Sequence, residues 1–335
     1  MRDASARSRA GLTSAADPGP EEIDTRVRVN LPHLRSLEGR ARKLTLLPRQ
    51  PVSSVLNGRH ASRLRGRGLN FEELRGYLPG DDPRTIDWKV TARTGEAHVR
   101  VYSEERDRPA LLVVDQRMSM FFGTRLNMKS VTAAEAAALV AFRVLDQGDR
   151  VGAVIFGDGH VSEFRPKRGR TAVNRFLTAL DRANRMLHAE APRVDHPLFL
   201  NQPLASVARI ARRDHLVIVI SDFDGLDART GKLVGTIARH NDVILCPVTD
   251  PISEDVPRNM KLVVSDGELQ VELDTGTTEA HRKLSDFASG RIAEILKWQQ
   301  KYGTPVLPLS AGSDTVDQMR RLMGLRSRRR ETADA

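Results

Sequence analysis

The chain has 335 residues, enough to bury a full-sized core and leave material for a second unit. A hydrophobic fraction of 40%, a charged fraction of 29% and only 4% aromatic residues are ordinary for a folded protein and exclude a fibrous or wholly disordered chain. The formal net charge of +10 favours polyanions or acidic protein surfaces as partners, beside the plainer reading of a solvated basic surface. The only cysteine, Cys246, excludes an intramolecular disulfide and suits a reducing compartment. Arg2, Arg7 and Arg9 precede no apolar stretch and every apolar run is too short to cross a bilayer, so a cytoplasmic protein with no signal peptide and no membrane insertion is expected.

Residues 1–28 mix Ala, Ser, Asp, Gly and Pro without a hydrophobic period and read as a disordered leader. Residues 29–57 form a helix and linker: Leu31, Leu34, Leu37, Ala41 and Leu44 recur at three- and four-residue steps, predicting a helix from Leu31 to Leu47 that Pro48 and Pro51 close. Residues 58–109 are Gly-rich and densely charged. The alternation Ala97-His98-Val99-Arg100-Val101-Tyr102 suits a half-exposed strand, and Pro79-Gly80-Asp81-Asp82-Pro83 and Arg93-Thr94-Gly95 are turn signals, so this region reads as a β-rich accessory segment.

From 110 to 325 strand-like runs alternate with helical patterns, which predicts an α/β fold with a doubly wound, mostly parallel sheet. The strands run from Ala110 to Asp115, Val151 to Phe156, Val161 to Arg165, Leu216 to Ser221, Val243 to Val248 and Pro305 to Leu309. A helix is predicted from Asn127 to Asp146, with Val131, Ala134, Ala138, Phe142 and Leu145 on one stripe, and another from Thr171 to Leu187. Asp266-Gly267 marks a hairpin between Met260 and Asp274, followed by helices from Thr278 to Tyr302 and from Asp314 to Met323. Residues 326–335, with Arg326, Arg328, Arg329 and Arg330, form a basic tail.

In open parallel sheets ligands sit outside the carboxyl ends of the strands. Three loops there concentrate oxygen ligands of the kind Mg²⁺ uses: Asp115-Gln116-Arg117-Met118-Ser119, Ser221-Asp222-Phe223-Asp224 and Thr249-Asp250-Pro251. Helix capping or loop hydration is the plainer role for Asp222 and Asp224.

The first loop resembles the D-x-S-x-S metal-ion-dependent adhesion site of von Willebrand factor A domains, with Ser221-Asp222 where that site takes its distal aspartate. The longer pattern from Gly66 to Lys89, continued by Ala92-Arg93-Thr94-Gly95, resembles the bacterial domain-of-unknown-function family 58 over residues 58 to 256. The resemblance implies a von Willebrand factor A-like sheet preceded by the accessory segment, no established enzymatic activity, and a MoxR-type AAA+ ATPase as partner. It also implies a partner-binding adhesion site at Asp115, Arg117, Ser119, Asp222 and Asp224.

Arg117 departs from the adhesion pattern, because a guanidinium cannot ligate a cation. Either it pairs with Asp115 or Asp222 and takes the metal's place, or it turns outward and Mg²⁺ is kept by Asp115, Ser119, Thr171 and Asp222. In the accessory motif, Arg75, Tyr77, Gly80, Asp81, Asp82, Arg84, Asp87, Trp88 and Arg93 form either an internal salt-bridge and turn network or a direct partner contact, with Trp88 read as a packing residue.

Two other functions fit parts of the chain. The basic tail with Arg59, Arg63, Arg65 and Arg67 allows non-specific nucleic-acid binding. Asp115 and Ser221 at strand ends also suit a haloacid-dehalogenase-like phosphatase, although Arg117 stands where its acid/base aspartate belongs. Nucleotide-loop, zinc and acyl-transfer motifs are absent from the sequence, so the expected function is a non-enzymatic interaction module without a cofactor.

Overall fold

A computed structural model of the protein describes residues 24–44, 69–79, 81–104, 108–188, 194, 198–253, 261–265, 270–274 and 278–324. Residues 1–23 of the leader expected over 1–28, the stretch from Arg59 to Arg67, Gly80, the Asp266-Gly267 turn and the tail over 326–335 lie outside the described residues. Residues 24–28 are not the disordered end of that leader: Val27 N donates to the Asp24 carbonyl at 2.9 Å in a turn, and Met128 N donates to the Arg26 carbonyl at 2.9 Å. Two compact units are present. One combines the described parts of Met1–Leu46 and Pro109–Ala335, and the other lies within Leu47–Arg108. The helical segment near residue 30 therefore belongs to the larger unit, and the accessory segment is an insertion in sequence.

The larger unit begins with two short helices, α1 (Leu31–Ser36) and α2 (Glu38–Ala41), where one longer helix was predicted. Asn30 caps α1, its side chain accepting a 2.8 Å bond from His33 N. The apolar spacing survives the break, and Leu34, Leu37, Ala41 and Leu44 are all buried.

The inserted unit pairs β1 (Leu69–Gly76) with β2 (His98–Glu104) in antiparallel register, from Leu69 opposite Glu104 to Gly76 opposite His98. Between them lies α3 (Trp88–Thr94), where turns alone were predicted. Asp87 accepts from Lys89 N and Val90 N at its start, and Gly95 ends it at φ 79°, so the Arg93-Thr94-Gly95 signal is a helix terminus.

The chain then runs through β3 (Ala110–Asp115), α4 (Lys129–Asp146), β4 (Val151–Phe156), β5 (Val161–Lys167), α5 (Arg170–Arg185), α6 (Asn201–Ile210), β6 (Leu216–Ser221), α7 (Ala228–Ala238) and β7 (Asp242–Thr249). The hairpin of β8 (Lys261–Ser265) and β9 (Gln270–Asp274), α8 (Thr278–Tyr302), β10 (Leu309–Ser310) and α9 (Thr315–Gly324) follow. The predicted strand from Pro305 to Leu309 is reduced to a single bridge of Val306 to Leu245 before β10.

The main sheet has six strands in the order β10-β7-β6-β3-β4-β5. All its pairs are parallel except β4 with β5, so this is the doubly wound, mostly parallel sheet expected. The order reverses at β3, which lies between β4 and β6 and places its carboxyl end at a switch point.

Because side chains alternate along a strand, β3 sends Leu112 and Val114 to one core and Leu111 and Val113 to the other. The first core is closed by α4, α5, α9 and the α1–α2 segment, and the second by α6, α7 and α8. A single apolar stripe was expected on α4, yet every residue from Ser130 to Phe142 is buried. The α1–α2 segment and α9 cover its outer side, and its alanines permit that approach. Among the described residues no helix is long and apolar enough to cross a membrane.

Candidate functional site

The pairing of β3 with both β4 and β6 brings Asp115 beside Ser221 at the carboxyl edge of the sheet. Ser221 Oγ donates to Asp115 Oδ2 at 2.6 Å and accepts from Phe223 N at 2.8 Å. Phe223, fully buried, takes a positive φ of 56°, uncommon for a side chain of its size. That turn carries Asp222 inward, where its Oδ1 accepts from Asp224 N at 3.0 Å.

Arg117 lies across these carboxylates. Its Nε donates to Asp115 Oδ1 at 3.0 Å and its Nη2 to Asp115 Oδ2 at 2.7 Å, a bidentate pair, while Nη2 stands 3.5 Å from Asp222 Oδ1. Nη1 donates to the Asp224 carbonyl at 3.1 Å, and the guanidinium carbon lies 5.5 Å from the centre of the Phe156 ring.

Two further cations were not found in the sequence. Lys129 Nζ donates to Asp222 Oδ2 at 2.8 Å, and Arg291 Nη2 donates to Asp224 Oδ1 at 2.6 Å and Nη1 to the Asp222 carbonyl at 3.0 Å. Lys129 carries one signal in hindsight. A lysine in the first turn opposes the helix dipole, so its place at the start of α4 calls for a nearby anion. Arg291, inside α8, gives no such signal.

Burial pushes the Asp115 carboxyl upward, against the pull of Arg117 and Ser221. Burial also acts on Asp222, but Lys129 and Arg117 outweigh it and hold that carboxyl down at about 2. Burial opposes the charge of Arg117, but Asp115, Asp222 and Asp224 together outweigh it and the guanidinium stays protonated. Three carboxylates, of Asp115, Asp222 and Asp224, thus meet three cations, of Arg117, Lys129 and Arg291.

A divalent ion does not fit this arrangement. Both Asp115 oxygens are engaged by Arg117 and one also by Ser221, and both Asp222 oxygens face donors. Ser119 Oγ, a ligand position of the resembled pattern, is buried without a hydrogen-bond partner among the described residues. Thr171 is placed elsewhere: because β5 runs antiparallel and pairs Lys167 with Val151, the start of α5 lies at the opposite end of the sheet from Asp115. Nor does Asp115 offer a nucleophile, since it is 0% exposed with both oxygens engaged.

The third loop places Asp250 in the lining of one small cavity with Lys129, Asp222 and Arg291. The Asp250 carboxylate accepts from Thr124 N at 2.8 Å, Thr124 Oγ1 at 2.6 Å and Ile252 N at 3.0 Å, which secures the loop before α4. Behind the site, Gln116 Nε2 donates to the Asp115 and Ser130 carbonyls, Asn184 Nδ2 donates to Gln116 Oε1, and Val29 N donates to Asn184 Oδ1. This buried chain of bonds ties the segment before α1 to the strand end that carries Asp115.

In the inserted unit the accessory motif forms an internal network. Arg75 holds Asp81 through two bonds of 2.7 and 2.8 Å, Tyr77 Oη donates to the Asp81 carbonyl, and Asp82 accepts from Arg84 N at 3.0 Å. Trp88 was read as a packing residue, yet it is 68% exposed.

The pattern of the family described as protein of unknown function DUF58 matches residues 73–292. The chain belongs to this family. The DUF58 match contains the accessory motif from Arg75 onward and every member of the charge cluster from Asp115 to Arg291. Uncharacterized proteins of Mycobacterium tuberculosis and Mycobacterium bovis are each 31% identical over 294 residues, covering 86% of this chain and 89% of the relative. Among solved structures, the chain is similar to the SpRpn10 VWA domain, at 11% identity and a TM-score of 0.35 over 64% of this chain and 94% of that one. It is also similar to a von Willebrand factor type A protein from Catenulispora acidiphila, at 12% identity and a TM-score of 0.34 over 68% and 44%.

Proposed function

We propose that this DUF58 protein is a non-enzymatic interaction module that binds its partner through the carboxyl-edge rim without a metal, and that a MoxR-type AAA+ ATPase is that partner. The observation that carries the reading is the seating of Arg117 and Lys129 on Asp115 and Asp222, which supplies from the chain itself the positive charge that an ion would bring. The rim is then assembled permanently and needs no cofactor to hold its loops.

Rim side chains give the reading further support. Asp224 is 40% exposed at its side chain, and Phe122, Leu126 and Phe199 are also open to solvent. Apolar anchors beside a fixed charge suit a protein surface better than a small substrate.

The test is capture of the MoxR-type ATPase by wild-type protein, Asp224→Lys and Phe199→Ser, with and without chelator. Capture is expected to withstand the chelator and to fall in both variants at unchanged melting temperature. Failure to capture in any nucleotide state would remove the ATPase from the reading, and loss on chelation would remove the metal-free site.

A further inference from the structure

Helix α3 of the inserted unit carries bases and no acid of its own. Of the acids near it, Asp81 grips Arg75 and Asp87 accepts from Lys89 N and Val90 N, while Asp82, which accepts from Arg84 N, and Glu96 are exposed. The bases Arg84, Lys89 and Arg93 are exposed and have no carboxylate partner among the described residues.

Within the helix, Trp88, Lys89, Ala92 and Arg93 are exposed, as is Thr94 at its end, while Val90 and Thr91 are partly covered. That spacing of one, four and five residues places the four on one face, with Trp88 above Ala92 and Lys89 above Arg93. A tryptophan 68% open to water beside these two cations is costly to leave uncovered and typical of an anchor in a protein interface. The capped ends, Asp87 and Gly95, hold the short helix in register and so fix that face.

We propose that this face of α3 is a docking surface for an acidic amphipathic segment of another protein, with Trp88 inserting among the segment's apolar side chains and Lys89 and Arg93 meeting its carboxylates. Apolar company favours protein over nucleic acid. Leu78, 59% exposed, and Leu74, 39% exposed, belong to the same small unit, and stacking of bases would not call for them.

Trp88 and Trp298 are the only tryptophans, and Trp298 is 4% exposed, so a Trp298→Phe chain reports on Trp88 alone. In this full-length variant acrylamide is expected to quench the emission nearly as well as free indole, and iodide to quench more steeply than caesium because of the flanking cations. Two labelled probe peptides, identical in their leucine spacing but with glutamate or lysine on the polar face, are then titrated into wild-type protein. The acidic peptide should bind saturably, lose at least tenfold in affinity in Trp88→Ala and in the Lys89→Glu/Arg93→Glu double variant, and shift Trp88 emission to the blue. Shielding of Trp88 from acrylamide in the free chain would overturn the proposal, since the rest of the chain would then cover it. Equal binding of the lysine peptide, indifference to Trp88→Ala, or Trp88-dependent binding of oligouridine in place of the acidic peptide would overturn it as well. The ATPase is not used, so the outcome is independent of the rim reading.

Discussion

Ser221 Oγ and Asp115 Oδ2, 106 residues apart in sequence, share a 2.6 Å hydrogen bond that locks the ends of two adjacent parallel strands. The bond fixes which Asp115 lone pairs remain for Arg117, and through Phe223 N it fixes the turn that aims Asp222. The site is therefore set by the sheet register before any loop contact is made.

Arg117 is 4% exposed and its partner Asp115 is 0% exposed, so removing the guanidinium leaves a carboxyl with no adequate solvation. Arg117→Met is expected to cost about 3–5 kcal/mol in chemical denaturation, the range for breaking a buried ion pair by deleting one partner. Adding Asp115→Asn should recover part of the loss. Equal loss in the single and double variants would show that Arg117 contributes packing alone.

Calorimetry should detect no tight Mg²⁺ or Mn²⁺ binding to the wild-type protein. Arg117→Ser restores an oxygen ligand but leaves the Lys129 ammonium on Asp222, so measurable affinity is expected in Arg117→Ser/Lys129→Ala and weaker affinity in Arg117→Ser. Binding by the unmodified chain would contradict the seating of Arg117.

The Asp222 carboxyl is held at about 2 in the folded state, below its ordinary value, by Lys129 and Arg117 against the opposing effect of burial. Its contribution is complete above the ordinary carboxylate value and is lost as acid protonates the folded state, between roughly pH 4 and pH 2. Burial shifts the neighbouring Asp115 carboxyl the opposite way, so the difference between wild type and Asp222→Asn isolates this contribution. Melting followed against pH should show that loss in wild type and a flatter acid limb in Asp222→Asn.

Asn184 is fully buried and bonds both Gln116 and the Val29 amide. Asn184→Ala should cost about 1–3 kcal/mol, the penalty for unsatisfied buried partners. Hydrogen exchange at Val29 should rise in that variant, and an unchanged rate would show that other contacts alone hold the segment.

Much of the sheet was legible in sequence. Ala110–Asp115, Val151–Phe156 and Leu216–Ser221 occupy the predicted positions because strands buried on both faces read as unbroken apolar runs ending at polar residues. Helices α6 and α7 were not read. Gly231 and Gly235 weaken the helical pattern of α7, yet a Cβ there would meet Trp298 at 2.9 Å and Tyr302 at 2.6 Å, so close packing with α8 explains them.

The cluster was legible only in part. Asp115, Arg117 and Asp222 do converge, but Lys129 and Arg291 come from helices whose docking is decided by tertiary packing. Thr171 was misplaced because nothing in Val161–Lys167 marks that strand as antiparallel, and its direction decides which end of the sheet the next helix leaves from.

The α1–α2 segment enters the first core before the chain departs into the inserted unit, and β3 returns to the same core afterwards. Continuity of the backbone between them is thus not what keeps the segment in place. Its buried leucines, the His33–Glu135 contact of 2.7 Å and the Val29–Asn184 bond are all non-covalent. A protein nicked by protease between residues 45 and 68 should therefore behave as a complemented pair of fragments, co-eluting at neutral pH and separating only in denaturant.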